Sequence, residues 1–125
     1  MTIDYASLAA ALERPDGGFT IDSVGLSVDT GYAVSVRPDL TRVFRMPPVT
    51  WGQVMDYGRS VASVWQEPGS VLGGWHDPAT GYVHLDVTRV VDTALSAFTL
   101  ACAFGQLAFF DLARGVSVPI ADPRF

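Results

Sequence analysis

The sequence predicts one α+β domain over residues 1–125, in which an antiparallel sheet built from β-hairpins carries about three helices. Three observations predict this class. A chain of 125 residues has the size of one domain and can bury roughly two-thirds of its unfolded surface. Three segments repeat apolar residues at helical spacing, and Gly- and Pro-containing turns separate them from pairs of short alternating segments. The expected order is therefore α-ββ-α-ββ-α-ββ, with the helices on one face of the sheet.

The first helix is predicted over residues 4–14, because its apolar residues recur at helical spacing. The Pro-Asp-Gly-Gly sequence at 15–18 ends it. Residues 19–28 and 32–36 then alternate apolar and polar side chains around an Asp-Thr-Gly turn. We expect these two segments to pair as a β-hairpin.

The second helix follows an irregular connection at residues 37–48, which contains three prolines. Thr50 is a suitable N-cap, and Glu-Pro-Gly at 67–69 ends the helix. Trp51 and Trp65 fall on the apolar face of this helix. Both are therefore predicted to lie in the core.

The second hairpin is the clearest local signal in the chain. Residues 71–75 lead into a Pro- and Gly-containing turn at 77–81, and residues 82–87 return as a strand. With that turn, strand alternation places four polar residues on one face, namely His76, Tyr82, His84 and Asp86. The opposite, core-facing side takes Trp75, Val83, Leu85 and Val87.

The polar face of this hairpin has three interpretations. Strand surfaces that face solvent are ordinarily polar, so a solvated sheet surface is the default. A second interpretation is a contact surface for a partner or ligand. The third is a metal site, because two histidines and a carboxylate can ligate a divalent ion. No fourth ligand stands at a characteristic spacing, so no cofactor or metal is expected.

The third helix, residues 94–104, is apolar nearly all round. Such a helix is buried on more than one side, which predicts a central position or, alternatively, a homodimer interface. Cys102, the single cysteine, is expected to be a small buried hydrophobe in it. Residues 106–112 and 116–120 are the last two predicted strands.

The charge balance limits the classes of partner. A net charge of −5 argues against sequence-independent nucleic-acid binding, which depends on cations that neutralise phosphates. Arg37, Arg42 and Arg45 form the only basic cluster, with Asp39 among them. This segment is either a mixed-charge surface loop or a weak anion-binding loop, which is also where nucleic acid would bind.

No segment predicts a membrane span or a secretion signal. The longest apolar stretch, residues 94–110, is interrupted by polar residues and is shorter than the span of about 20 residues that a bilayer requires. Asp4 and Glu13 stand where a signal peptide has its basic region. We therefore expect a soluble, cytoplasmic protein.

Motifs of the common enzyme classes are missing from the sequence. There is no Gly-x-Ser-x-Gly nucleophile motif, and Ser60, Ser63 and Ser70 have no adjacent base in the sequence. The Gly-rich segment at 69–74 lacks the lysine of a phosphate-binding loop. The sequence therefore predicts no catalytic residue, although catalytic groups can also converge from distant positions.

A pattern of turns and aromatic residues resembles small proteins encoded by actinobacterial phages and mobile elements. It comprises Leu-Gly-Gly-Trp at 72–75, Thr-Gly at 80–81, Leu-Asp-Val at 85–87, the segment 105–112, and Thr-Gly-Tyr-Ala-Val at 30–34. The resemblance implies an accessory protein of a phage, a class in which some members bind host proteins. It implies no active-site residue.

The expected function is therefore binding of a protein partner, for example a host or defence protein, without catalysis. Tyrosine and tryptophan are the residues that interfaces favour. The predicted interaction surface comprises Tyr32, Trp75, His76, Tyr82, His84 and Asp86. The alternative is a small metal-dependent or ligand-binding enzyme that uses His76, His84 and Asp86.

Overall fold

The structure, a computed structural model, describes residues 3–121. Within this range the chain forms four helices, one 3₁₀ turn at Pro38–Leu40 and a seven-stranded antiparallel sheet. The helices are α1 (Tyr5–Ala11), α2 (Trp51–Ser60), α3 (Ala62–Trp65) and α4 (Ala94–Ala103). The strands are β1 (Gly18–Ile21), β2 (Tyr32–Val34), β3 (Arg42–Phe44), β4 (Ser70–His76), β5 (Val83–Val91), β6 (Ala108–Asp111) and β7 (Val116–Pro119). The predicted α+β class is confirmed.

The β4–β5 hairpin forms the centre of the sheet, whose order is β1-β4-β5-β2-β6-β7. Strand β5 is nine residues long and presents one edge to β4. Its other edge pairs first with β3 and then, further along, with β2. All of these pairings are antiparallel, so each backbone edge of the long strand is used along most of its length.

The predicted first hairpin is wrong, because β1 and β2 do not pair with each other. Phe19 of β1 lies opposite Gly74 of β4, whereas Ala33 of β2 lies opposite Val90 of β5. The central hairpin offers two long edges, and each edge takes one of the two strands. The predicted irregular connection also contains β3, which completes the edge of β5 beside β2.

Side-chain caps begin three of the helices. Asp4, Thr50 and Thr93 each accept a hydrogen bond from a backbone N–H in the first turn of α1, α2 and α4. At α2, Gln53 also reaches back to the backbone N–H of Thr50 and completes a capping box. These contacts satisfy N–H groups that have no partner within the helix.

The predicted second helix divides at Val61 into α2 and α3. Trp65 on α3 is buried, which confirms its predicted core position. The prediction for Trp51 is wrong, because its side chain is 55% exposed. Trp51 is the first residue of α2 and therefore lies at the end of the helix, outside the region where α2 packs on the sheet.

Two hydrophobic clusters lie beneath the helices. One is covered by α1, α2 and α3, and its largest fully buried members are Leu12, Tyr57, Leu72 and Leu85. The other is covered by α4 and comprises Val34, Ala97, Ala101, Phe109 and Val118. Val34 pairs with Arg89, which lies two residues from Val87 of the first cluster. Alternation therefore places both clusters on one side of the sheet, here named the helix face.

The opposite side is here named the open face. No helix among residues 3–121 contributes to a core on this side. Its strand residues follow from the register and are Gly18, Thr20, Ala33, Val43, Val71, Gly73, Trp75, His84, Asp86, Thr88, Val90, Ala108, Phe110, Ser117 and Pro119.

Helix α4 packs on the sheet with one side only. Ala97 and Ala101 are its buried residues, whereas Leu95 is 68% exposed and Cys102 is also exposed. The predicted central position and the predicted burial of Cys102 are therefore wrong. The core under the other half of the sheet is already filled by α1–α3, so α4 covers the half formed by β2 and β6. Among the described residues, no helix is long and apolar enough to cross a membrane.

Candidate interaction surface

The register of the β4–β5 hairpin differs from the predicted register by one residue. Trp75 pairs with His84, and His76 pairs with Val83. The Asp77 N–H donates to the Tyr82 carbonyl at 2.8 Å, so Asp77 belongs to the ladder and the turn is one residue shorter than predicted. A slip of one residue moves the side chains of one strand to the opposite face relative to the other strand.

The prediction that His76, Tyr82, His84 and Asp86 share one face is therefore wrong. His84 and Asp86 lie on the open face, where they are joined by Trp75, which had been predicted to face the core. His76 lies on the helix face and is buried. Its ring Nδ1 donates to the carbonyl of Leu12 at 2.8 Å, so His76 connects the end of α1 to the sheet.

Trp75 is exposed on the open face but fixed in orientation. Its side chain is 43% exposed, and its indole Nε1 donates to Asp16 Oδ1 at 2.9 Å. Asp16 has a φ of 65°, a left-handed conformation that aspartate tolerates better than most residues. Its N–H donates to the carbonyl of His76 at 2.8 Å. The turn between α1 and β1 thus holds the indole in place.

Asp86 lies beside Trp75, in the next row of the open face. The register aligns Thr20, Gly73 and Asp86 across three neighbouring strands. A Cβ atom added to Gly73 would lie 2.6 Å from Asp86 Oδ1, so the carboxylate lies across the glycine backbone. Burial raises the pKa of the Asp86 carboxyl above its usual value, and the neighbouring His84 partly offsets this rise.

Asp86 is the single charged side chain among the strand residues of the open face. The strand arginines Arg42 and Arg89 lie on the helix face. The remaining open-face strand residues are apolar, small or neutral, and Val43 and Phe110 are, like Trp75, large exposed hydrophobics. Val71 and Gly73 are buried on this side, so the exposed part of the open face is a largely apolar surface beside one carboxylate.

His84 lies two residues before Asp86 on β5 and therefore on the same face. Its ring lies 6.0 Å from the Trp75 ring, centroid to centroid, with an angle of 31° between the planes. Its Nε2 is buried and has no hydrogen-bond partner. Buried polar atoms are rarely left unpaired in folded proteins, so this residue is a polar group whose bonding capacity the described fold does not use.

The three arginines of the predicted basic cluster do not converge on one point. Each guanidinium has a separate partner, and these are Asp39 for Arg37, Asp56 for Arg42 and the ring of Tyr82 for Arg45. Arg37 makes two hydrogen bonds to its partner, at 3.1 and 3.0 Å. Arg37 is thus paired within the loop and Arg42 with a carboxylate of α2, whereas Arg45 contacts an uncharged ring.

Tyr32 does not join the interaction surface either. It lies on the helix face, where its ring contacts that of Phe109 edge-on at 5.8 Å. Asp16 and Val43 belong to the surface around Trp75 but were not predicted from the sequence. Asp16 lies in a turn, and its hydrogen-bond partner Trp75 is 59 residues away in the sequence. Val43 belongs to a strand of only three residues, which is too short to show an alternating pattern.

The proposed metal ligands are separated by the sheet, because His76 faces the helices and His84 and Asp86 face the other way. Among residues 3–121 no three His, Cys, Asp or Glu side chains are grouped so that they could hold a metal ion. The open face therefore offers contact area and one carboxylate, and not a ligand cage.

Comparison of this chain with protein-family models, with curated proteins and with solved structures finds no match. The resemblance to small phage proteins accordingly stays a prediction.

Proposed function

We propose that this protein is a non-enzymatic, cytoplasmic accessory protein of phage type, which inhibits or regulates a host or defence protein by binding it. The binding surface is the open face around Trp75. The partner chemistry that this surface fits is a protein patch that combines apolar side chains with a positive charge, because the only charged strand residue of the face is a carboxylate.

The observation that carries this proposal is the exposed but immobilised Trp75. Tryptophan is the residue most enriched among those that dominate binding energy in interfaces. Ordering a mobile side chain on binding costs about 0.5–1.5 kcal/mol. The hydrogen bond to Asp16 restrains the indole in the free protein, which reduces that cost.

The surroundings of Trp75 support the same function. Val43 lies in the same row of the sheet, beyond His84, and is 43% exposed. Because both side chains are exposed in one row of the sheet, a partner can contact Trp75 and Val43 together. The strand face that the enzyme alternative required is not formed, because His76 lies on the side of the sheet opposite to His84 and Asp86.

The test is capture of the partner by tagged protein from an actinobacterial host, with quantitative mass spectrometry of what co-purifies. Three baits are compared: the natural protein, Trp75→Ala and Trp51→Ala. The last is a matched control, because Trp51 is also an exposed tryptophan but lies at the start of α2, outside the open face.

We expect one stoichiometric partner with the natural protein and with Trp51→Ala. Trp75→Ala should weaken binding of that purified partner roughly 30-fold or more, which corresponds to about 2 kcal/mol. Circular dichroism establishes that each bait is folded. Capture that is equal for all three baits, or no specific partner for the folded natural protein, would overturn the proposal.

A further inference from the structure

We infer that Asp86 is the binding position for an arginine side chain of the partner, whose guanidinium pairs with the carboxylate and lies against Trp75. This inference rests on the proposed function and specifies the chemistry of the contact. It follows from the shape, the charge and the aromatic wall of the position.

The shape is set by Gly73. Gly73 carries no side chain, and its neighbours in the row are Thr20 and Asp86. The Asp86 side chain therefore lies directly on the backbone of Gly73. The Asp86 carboxylate already occupies part of this space, with Oδ1 2.6 Å from the point where a Gly73 Cβ would be. Asp86 is partly exposed, on the side of the sheet that no helix among residues 3–121 covers.

No arginine of the described part of the chain pairs with the Asp86 carboxylate, and His84 offsets the effect of its burial only in part. Salt bridges there join Arg37 to Asp39, Arg42 to Asp56 and Arg89 to Glu67, and none includes Asp86. No hydrogen bond to the Asp86 carboxylate is found among these residues either. A partly buried carboxylate without a partner is unfavourable, and a cation or a strong hydrogen-bond donor removes that cost.

The aromatic wall favours a guanidinium over the other cations. A metal ion would need further ligands, and no group of three is present in the described residues. Trp75 is the diagonal neighbour of Asp86, a relationship that long and aromatic side chains can span. A planar guanidinium binds a carboxylate through two parallel hydrogen bonds and also stacks on an indole ring, whereas an ammonium group does neither as well.

The experiment is an NMR titration of the uniformly ¹⁵N-labelled natural protein at neutral pH. The probe is the capped peptide acetyl-Gly-Arg-Gly-amide, and the matched control is the same peptide with citrulline, which has the shape of arginine without its charge. We expect saturable shifts of the Trp75 indole N–H and of the Gly73 and Asp86 amides with the arginine peptide only. The citrulline peptide should bind about tenfold more weakly or not at all.

Two variants test the position itself, and a third is the control. Asp86→Asn and Gly73→Ala should each weaken the arginine peptide about tenfold, the first by removing the charge and the second by displacing the carboxylate. Asp29→Asn makes the same charge change at an exposed loop position and should leave the affinity unchanged. Affinity should also fall as the pH is lowered through the raised pKa of Asp86, because protonation removes the charge.

Equal shifts with arginine and citrulline, or undiminished binding to Asp86→Asn, would overturn the inference. Failure of the inference is distinguishable from failure of the proposed function. If Trp75→Ala loses the captured partner while Asp86→Asn retains it, the open face is a protein-binding surface but Asp86 is not an arginine position.

Discussion

The indole Nε1 of Trp75 donates a 2.9 Å hydrogen bond to Oδ1 of Asp16, a residue 59 positions earlier in the chain. This bond joins the turn after α1 to the end of β4. It also determines which way the exposed indole points. The orientation of the interaction surface therefore depends on a residue that lies outside the strands of the sheet.

Substitution of Asp16 separates its two roles. Asp16→Ala should destabilise the protein by about 1–3 kcal/mol, because it removes the hydrogen bond and places alanine in a left-handed conformation. Asp16→Gly removes only the bond and should cost about 0.5–1.5 kcal/mol or less. Urea unfolding measures both values. A smaller loss for alanine than for glycine would contradict the left-handed geometry.

Two adjacent glycines face opposite sides of the sheet and should respond differently to alanine. A Cβ on Gly74 would collide with the Phe19 ring and approach Leu12 Cδ2 to 3.1 Å, in the core beneath α1. Gly74→Ala should therefore cost about 1–3 kcal/mol, the usual range for overpacking. Gly73→Ala meets only the movable end of Asp86 and should cost less. The pair is compared by thermal unfolding, and the reverse order would contradict the register.

The stability of Asp86→Asn should depend on pH in a defined way. The pKa of Asp86 is raised in the folded state by burial, so ionisation above the unfolded value of 3.8 destabilises the natural protein. The asparagine variant should be more stable at pH 7 by about 0.5–2 kcal/mol, the range of single stabilising changes. This advantage should vanish as the pH falls below the unfolded value. Denaturant titrations across this range test it, and a less stable variant at pH 7 would contradict the unpaired carboxylate.

Cys102 should react with a thiol reagent such as DTNB in the native protein, because its side chain is exposed on α4. The reaction is followed by absorbance at low and at high protein concentration. Protection that grows with concentration would identify α4 as the interface of a homodimer, which the apolar sequence of this helix also predicts. A thiol that reacts only after unfolding at low concentration would contradict the position of α4.

The local elements were predictable because short-range chemistry determines them. Thr50 was expected to cap α2, and it does so by accepting the Gln53 N–H. The hairpin between β4 and β5 was also expected from its turn residues. Its register was not, because the ladder includes Asp77, and the sequence does not show whether an aspartate next to a proline is the last residue of a strand or the first of a turn.

By itself, the sequence determined the α+β class, the helix starts and the central hairpin, since spacing, caps and turns act within a few residues. Tertiary structure alone decided which strands became neighbours of β4 and β5, and which face each side chain took. The observed register differs from the predicted one by one residue. It places Trp75 with Asp86 on the open face and His76 against the end of α1. Strand pairing joins residues that are far apart in the sequence. Because side chains alternate between the two faces along a strand, the face that each side chain takes depends on that pairing.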